Sequence, residues 1–255
     1  MNEHPDSPER VLRRLGITDP GEIDVEAIAW ELGATVKYRR LVSCEARIVG
    51  TDDKAIITVN SASQPRRQRF SVAHEIGHWV HHRHRVLTCQ RADIGVSSLI
   101  LNPERIADGY ARDLLMPDYL FKPVARTARQ MSFQTVRSIA EQFDTSLTAT
   151  AIRLVEGKFF TAILVCHGLR GRLWFTRSPE VPDRWFPASE LSADSFAFEV
   201  LHGGNDEDRF PRKIGADAWF DRFDAARFEI KEQTIRTSDH EVLTLLLIED
   251  DEMLA

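Results

Sequence analysis

Residues 70–82, FSVAHEIGHWVHH, constrain this chain more than any other stretch. His74 and His78 flank Glu75 in an H-E-x-x-H pattern. On a helix, four residues turn the chain by about 400° and raise it by about 6 Å, so both imidazoles leave the same face. Two neutral imidazoles side by side hold a divalent metal. Glu75 follows His74 directly and lies at the edge of that face, where its carboxylate reaches an activated water without becoming a ligand. That arrangement serves metal-assisted hydrolysis. It also demands a helix. The run Pro65 to His84 has no internal proline, and Phe70, Val72, Ala73, Ile76, Gly77 and Val80 fill its middle, as in a buried helix. Ser61 or Ser63 is expected to cap its start.

Two histidines leave a metal short of a third ligand. A residue one turn further along the same helix lies too far down the axis to close a tetrahedron, which disfavours His81. Glu104, in NPERIADGYARDLLMP, is the better candidate, because Pro103 suits a first helical turn and Glu104 then shares a face with Asp108 four residues on. Glu104 would ligate and Asp108 would accept the second ring N–H of a histidine, fixing its tautomer. Alone, Glu104 could equally be an ordinary first-turn carboxylate favoured by the helix dipole. His81, His82 and His84 read as a surface cluster near the helix end, where cations suit the dipole.

The run RQRFSVAHEIGHWVHH, followed by a Glu four residues before an Asp and then ADGYARDLLMP, resembles the ImmA/IrrE family of metallo-endopeptidases. The resemblance is firm from about Ala55 to Pro117, looser to about Val155 and weaker at both ends. It implies that His74, His78 and Glu104 bind the metal and that Glu75 is the catalytic base. Asn is common in the family where this chain has Asp108, which keeps the acceptor and adds charge. Tyr110, His81 and His84 are rival donors for a developing oxyanion, with Tyr110 well round the helix from Asp108. Zinc is the natural choice for a His/His/Glu set, and manganese also suits the ligand types.

The remaining composition excludes several classes. A content of 43% hydrophobic and 28% charged residues is ordinary for a soluble globular protein. No run approaches about 18 apolar residues, and MNEHPDSPER is polar and acidic, so neither a membrane span nor a signal peptide is expected and a cytoplasmic location follows. A net charge of −6 argues against a protein that coats nucleic acid. Cys44, Cys89 and Cys166 are widely spaced and odd in number, which reads as inert buried thiols rather than a disulfide framework.

The expected fold class is α+β. A zincin-like metallopeptidase domain over 1–130 holds short helices at 8–15 and 24–33, strands at Ala34–Arg40, Cys44–Val49 and Ala55–Asn60, and the two ligand helices. Asp24 would cap the second short helix and Gly33 would stop it. RHRVLTCQRADIGVSSLILN, between the ligand helices, reads as a loop near the cleft. A helix-turn-helix-like segment over 131–157 has helices from about Ser132 to Phe143 and on to Gly157, turning at Asp144 to Ser146. Only Arg137 and Arg153 lie on it as cations, so direct DNA binding is disfavoured. A C-terminal α+β domain over 158–255 holds two hairpins, TAILVCH with RLWFTRS and ARFEIKEQTIRT with VLTLLLIED, around a helix in SELSADSFAFEVLHGG. Trp174, Trp185 and Trp219 belong to it. It is read as a sensor or docking domain, with docking favoured.

The leading functional reading is a site-specific endopeptidase. Its implied substrate, through the resemblance, is a helix-turn-helix repressor of the XRE type, whose cleavage relieves repression of stress-response or mobile-element genes. A toxin-like peptidase restrained by an antitoxin, and a non-cleaving binding module for a repressor or DNA, are the alternatives. Glu75 disfavours the module, since a structural zinc site needs no base. Nothing in the sequence fixes the oligomeric state.

Overall fold

The computed structural model describes residues 7–51, 53–82, 102–204 and 207–255. They fall into two compact units, one of Met1–Val124 with Ala140–Ser146, the other of Ala125–Ile139 with Leu147–Ala255. The fold is α+β in both. The stretch read as a loop near the cleft, with His84 and Cys89, lies outside the described residues, as does the side chain of His82.

In the first unit, α1 (Pro8–Arg14) and α2 (Val25–Glu31) precede the sheet. Asp24 caps α2 by accepting from the Glu26 and Ala27 amides. Gly33 follows at φ +85°, and a side chain there would meet the Asp53 carbonyl oxygen at 2.7 Å, so glycine ends the helix for two reasons at once. Next, β1 (Ala34–Arg39), β2 (Ala46–Gly50) and β3 (Ala55–Asn60) form a sheet in the order β1-β3-β2, with β1 parallel and β2 antiparallel to β3. Alternation turns Ala55, Ile57 and Val59 inward, and all three are buried, while Ile56 on the other face is exposed.

From β3 the chain turns into α3 (Pro65–His82), which lays Val72, Ala73, Ile76 and Val80 into the same core as that sheet. Its start differs from expectation. Gln64 stands before Pro65, and the Ser63 hydroxyl donates to the Glu45 carboxylate instead of capping the helix. Trp79 donates its indole N–H to the Leu32 carbonyl at 2.7 Å, tying α3 to the end of α2. α4 (Pro103–Leu115) packs against α3 and α1, burying Ala107, Tyr110, Ala111, Leu114 and Leu115. α5 (Asp118–Thr127) follows and carries Pro123 inside it.

α6 (Phe133–Phe143) and α7 (Leu147–Glu156) fall close to the expected helices. Between them Asp144 adopts φ +48°, and its carboxylate accepts from the Arg66 Nε at 3.1 Å. An Asp tolerates this left-handed position because a short polar side chain bonds locally.

The second unit is built on β4 (Ala162–Gly168), β5 (Gly171–Arg177), β6 (Arg212–Gly215), β7 (Glu229–Ser238) and β8 (Glu241–Leu247), antiparallel throughout in the order β5-β4-β8-β7-β6. Both expected hairpins are present, and α8 (Phe196–His202) is the expected helix. A short α9 (Asp251–Leu254) closes the chain. Trp185 and Trp219 are buried in the core of this unit. Glu232, fully buried, accepts from the Trp219 indole at 2.7 Å and the Ala197 amide at 2.6 Å, so a carboxylate from β7 holds the start of α8. Burial pushes its carboxyl above the usual range.

His167 on β4 is fully buried against the Trp219 ring, at a register shift in the β4–β5 pairing. Burial pushes its imidazole down to about 4. An unfolded chain protonates the same ring near 6.5, so between these values the unfolded state holds more protons and stability falls as the pH drops. His167→Phe should remove this slope, leaving the variant about 2–3 kcal/mol less sensitive than wild type to acidification from pH 7 to 4. Urea midpoints at both pH values measure it. An unchanged slope in the variant would refute the assignment.

Candidate metal centre

Three groups converge where α3 faces α4. His74 Nε2 and His78 Nε2 lie 3.0 Å apart, and the two Glu104 carboxylate oxygens stand 3.2 Å from His74 Nε2 and 3.3 Å from His78 Nε2. The helical spacing of the histidines aligns their rings, and α4 supplies the acid from its first turn. That turn is fixed by Asn102, whose side chain caps α4 by accepting from the Glu104 amide at 3.0 Å, and by Pro103 at the first helical position.

This donor set fits a metal. Bonds of 2.0–2.1 Å around a tetrahedral cation separate neighbouring ligand atoms by about 3.3 Å. His74, His78 and Glu104 each offer one atom within 4.8 Å of the others, and the two histidine Nε2 atoms, 3.0 Å apart, lie close to such a tetrahedron edge. Hydrogen bonds to His74 and then His78 hold the Glu104 carboxyl well below the usual carboxylate range, against the opposing effect of burial. An acid that stays ionised at low pH is the form a cation needs.

Around these three groups stand two more. Asp108 Oδ1 lies 2.9 Å from His74 Nδ1, so a His74 that donates there presents Nε2 toward His78 and Glu104. Glu75 is buried, with 1% of its surface exposed, and sits one helical turn before Trp79. Trp79 reaches Gly50, at the end of β2. β1, the other edge, is linked to α2 by the Tyr38 hydroxyl, which donates to Glu26 at 2.8 Å. At the two ends of the β2–β3 pair, the Asn60 amide donates to the Glu45 carbonyl and the Thr51 amide to the Lys54 carbonyl. With the register of the pair, Arg47 and Val49 bond to β3, and the N–H and C=O groups of Ala46 and Ile48 turn outward.

Tyr110 is 4% exposed, with its Cβ against Gly77 and its ring edge-on to His81 at 5.7 Å. It is thus held in the α3–α4 contact, beside the C-terminal part of α3. His81 is exposed, as expected for a surface group. Cys44 is half-buried rather than inert in a core, because it lies in the bend before β2, while Cys166 is buried with its thiol pushed up to about 11. Asn102 and Gly77 are the residues of this site that sequence reasoning misses. An Asn before a Pro-Glu pair is a cap signal that identifies the first of them.

Fold and site together set an H-E-x-x-H helix against a carboxylate from a second helix, an arrangement that could hold a metal ion. Residues 29–155 match the IrrE N-terminal-like domain of peptidase family M78, and over those residues the chain belongs to this family of metal-dependent peptidases. The matched span contains β1–β3, α3 and α4, hence His74, Glu75, His78, Glu104, Asp108 and Tyr110. Among solved structures, a Mycobacterium tuberculosis transcriptional regulator superposes with a TM-score of 0.57 at 12% identity, covering 96% of this chain and 87% of that one. At such identity the likeness is one of fold. No curated protein matches by sequence. Among the described residues, no helix is long and apolar enough to cross a membrane.

Proposed function

We propose that this protein is a zinc-dependent endopeptidase that cuts a partner protein at one site, the partner being an XRE-type helix-turn-helix repressor whose loss releases stress-response or mobile-element genes. The observation that carries this reading is the convergence of His74, His78 and Glu104 beside a buried Glu75. Manganese suits the same ligands. The similar fold of a protein described as a transcriptional regulator supports a setting in gene control, and cleavage of a repressor would take place in the cytoplasm.

His74, His78 and Glu104 would hold the metal, and Asp108 would orient His74 through Nδ1. A divalent cation bound there supplies Lewis acidity toward a peptide carbonyl and makes water acidic enough to attack near neutral pH. Glu75 takes the proton from the attacking water on its carboxylate and returns it to the leaving nitrogen. Tyr110, buried in the helix contact, and the exposed His81 are the candidate oxyanion donors. The outward N–H and C=O groups of Ala46 and Ile48 suit an extended substrate backbone, so β2 is the edge along which the peptide would lie. Residues 1–130 carry the chemistry in this reading, 131–157 form a helical segment without DNA contact, and 158–255 dock the substrate.

The test mixes the purified protein with the XRE-type repressor encoded beside its gene, with zinc or manganese, and follows intact masses. Discrete fragments from wild type and none from Glu75→Gln are expected. A repressor left whole by wild type but bound equally by both proteins would overturn the peptidase reading in favour of a binding module.

A further inference from the structure

The α3–α4 contact depends on a residue that the chemistry does not use. Gly77 stands in the interior of α3 between the two histidines, a place where glycine weakens a helix relative to alanine. A Cβ built there would lie 2.9 Å from the Ala107 Cα, 3.0 Å from the Ala107 carbonyl oxygen and 3.0 Å from the Tyr110 Cβ. Two of these are backbone atoms and the third is fixed to the backbone, so no side chain can rotate away to make room. Gly109, on the facing helix, has nothing within 4 Å and serves as an internal contrast.

The place of this contact along both helices matters. Gly77 is three residues after His74 and one before His78, and Ala107 is three residues after Glu104, one turn along α4. This close contact of the helices therefore falls within one turn of both histidines on α3 and of Glu104 on α4. We infer that Gly77 is a positioning residue for the metal centre: its missing side chain lets α4 come close enough for the Glu104 carboxylate to reach both histidines. A methyl group at this point would push the backbones apart by on the order of 0.5 Å, which is about the tolerance of a preorganised site. The inference rests on the reading of His74, His78 and Glu104 as metal ligands.

Zinc affinity of the full chain, measured by competition with a chromophoric chelator, and the visible spectrum of the cobalt-loaded protein together test it. Gly77→Ala should bind zinc about 10–100-fold more weakly than wild type, the range for losing a group that orients a ligand, while Gly109→Ala should match wild type. In a Glu104→Ala background, Gly77→Ala should weaken binding no further, because it acts only through that carboxylate. Its cobalt spectrum should shift toward that of Glu104→Ala. Should Gly77→Ala fail to fold, Glu104→Asp withdraws the carboxylate by one methylene without touching the helix contact and should weaken zinc binding by a similar factor. The inference is overturned if Gly77→Ala binds within about twofold of wild type, if it loses as much in the Glu104→Ala background, or if Glu104→Asp binds like wild type. A wild type that binds no metal would instead overturn the metal-site reading itself.

Discussion

Glu75→Gln is expected to bind metal as wild type does and to cut its substrate at least about 10²- to 10⁴-fold more slowly, the contribution typical of a positioned general base. The amide has nearly the volume of the carboxylate, which matters at a position with 1% of its surface exposed. It leaves the His74, His78 and Glu104 atoms as they stand, and it cannot take a proton from water. A neutral amide is also less costly to bury than a charged carboxylate. Metal content after desalting, read beside fragment masses from a timed digest, separates the two effects. Loss of metal in this variant to the extent seen on removing a histidine would contradict the role given to Glu75, because a ligand and a base would then have been confused.

The site is legible in the sequence because its parts obey short-range helical geometry. A spacing of four places His74 with His78 and Glu104 with Asp108, and both pairs share a face as the periodicity requires. The sequence also contains the strands that lead into α3 and the hairpins of the second unit, since β-branched and aromatic runs between turn residues mark them. What escapes depends on partners distant in the chain or on local signals that conflict. α5 is hidden because Pro123 lies inside it, and a helix that begins at Asp118 after Pro117 offers its breaker before its periodicity is established. β6 is only Arg212–Gly215, polar and half-exposed, and exists because β7 pairs with it. Ser63 looks like a cap until Glu45, on the far side of β3 in sequence, is seen to claim its hydroxyl.

Gly77 illustrates the same limit at the site. A glycine inside a helical pattern signals a close approach without naming what approaches, and only the packing of α4 supplies Ala107 and Tyr110 as the neighbours. The residue types needed for hydrolysis are thus local in the chain, whereas the tolerances that let them meet are set by tertiary contact. The pairing of His74 with Asp108 occupies a middle position: the spacing of Asp108 from Glu104 suggests a shared face, and the 2.9 Å separation depends on how the two helices cross.

His78→Ala should lose metal altogether under conditions that load wild type, weakening affinity by more than the roughly 10- to 100-fold expected for removing an orienting group such as Asp108. His78 is 2% exposed and stands within 3.0–3.3 Å of both other ligand atoms, so its removal leaves two donors, one of them an acid, and a cavity in place of the ring. Thermal unfolding reads this without any substrate. A metal that binds only the folded state stabilises by about 2.7 kcal/mol at 100 times its dissociation constant, a shift of several degrees for a protein of this size. Wild type and Glu75→Gln should both show that shift on adding zinc, Asp108→Ala a smaller one at the same concentration, and His78→Ala none. The order of these four responses follows from whether each side chain binds, orients or only accepts a proton. A full zinc-dependent shift in His78→Ala would mean that the metal is held by other groups, and the convergence of His74, His78 and Glu104 would then be coincidence.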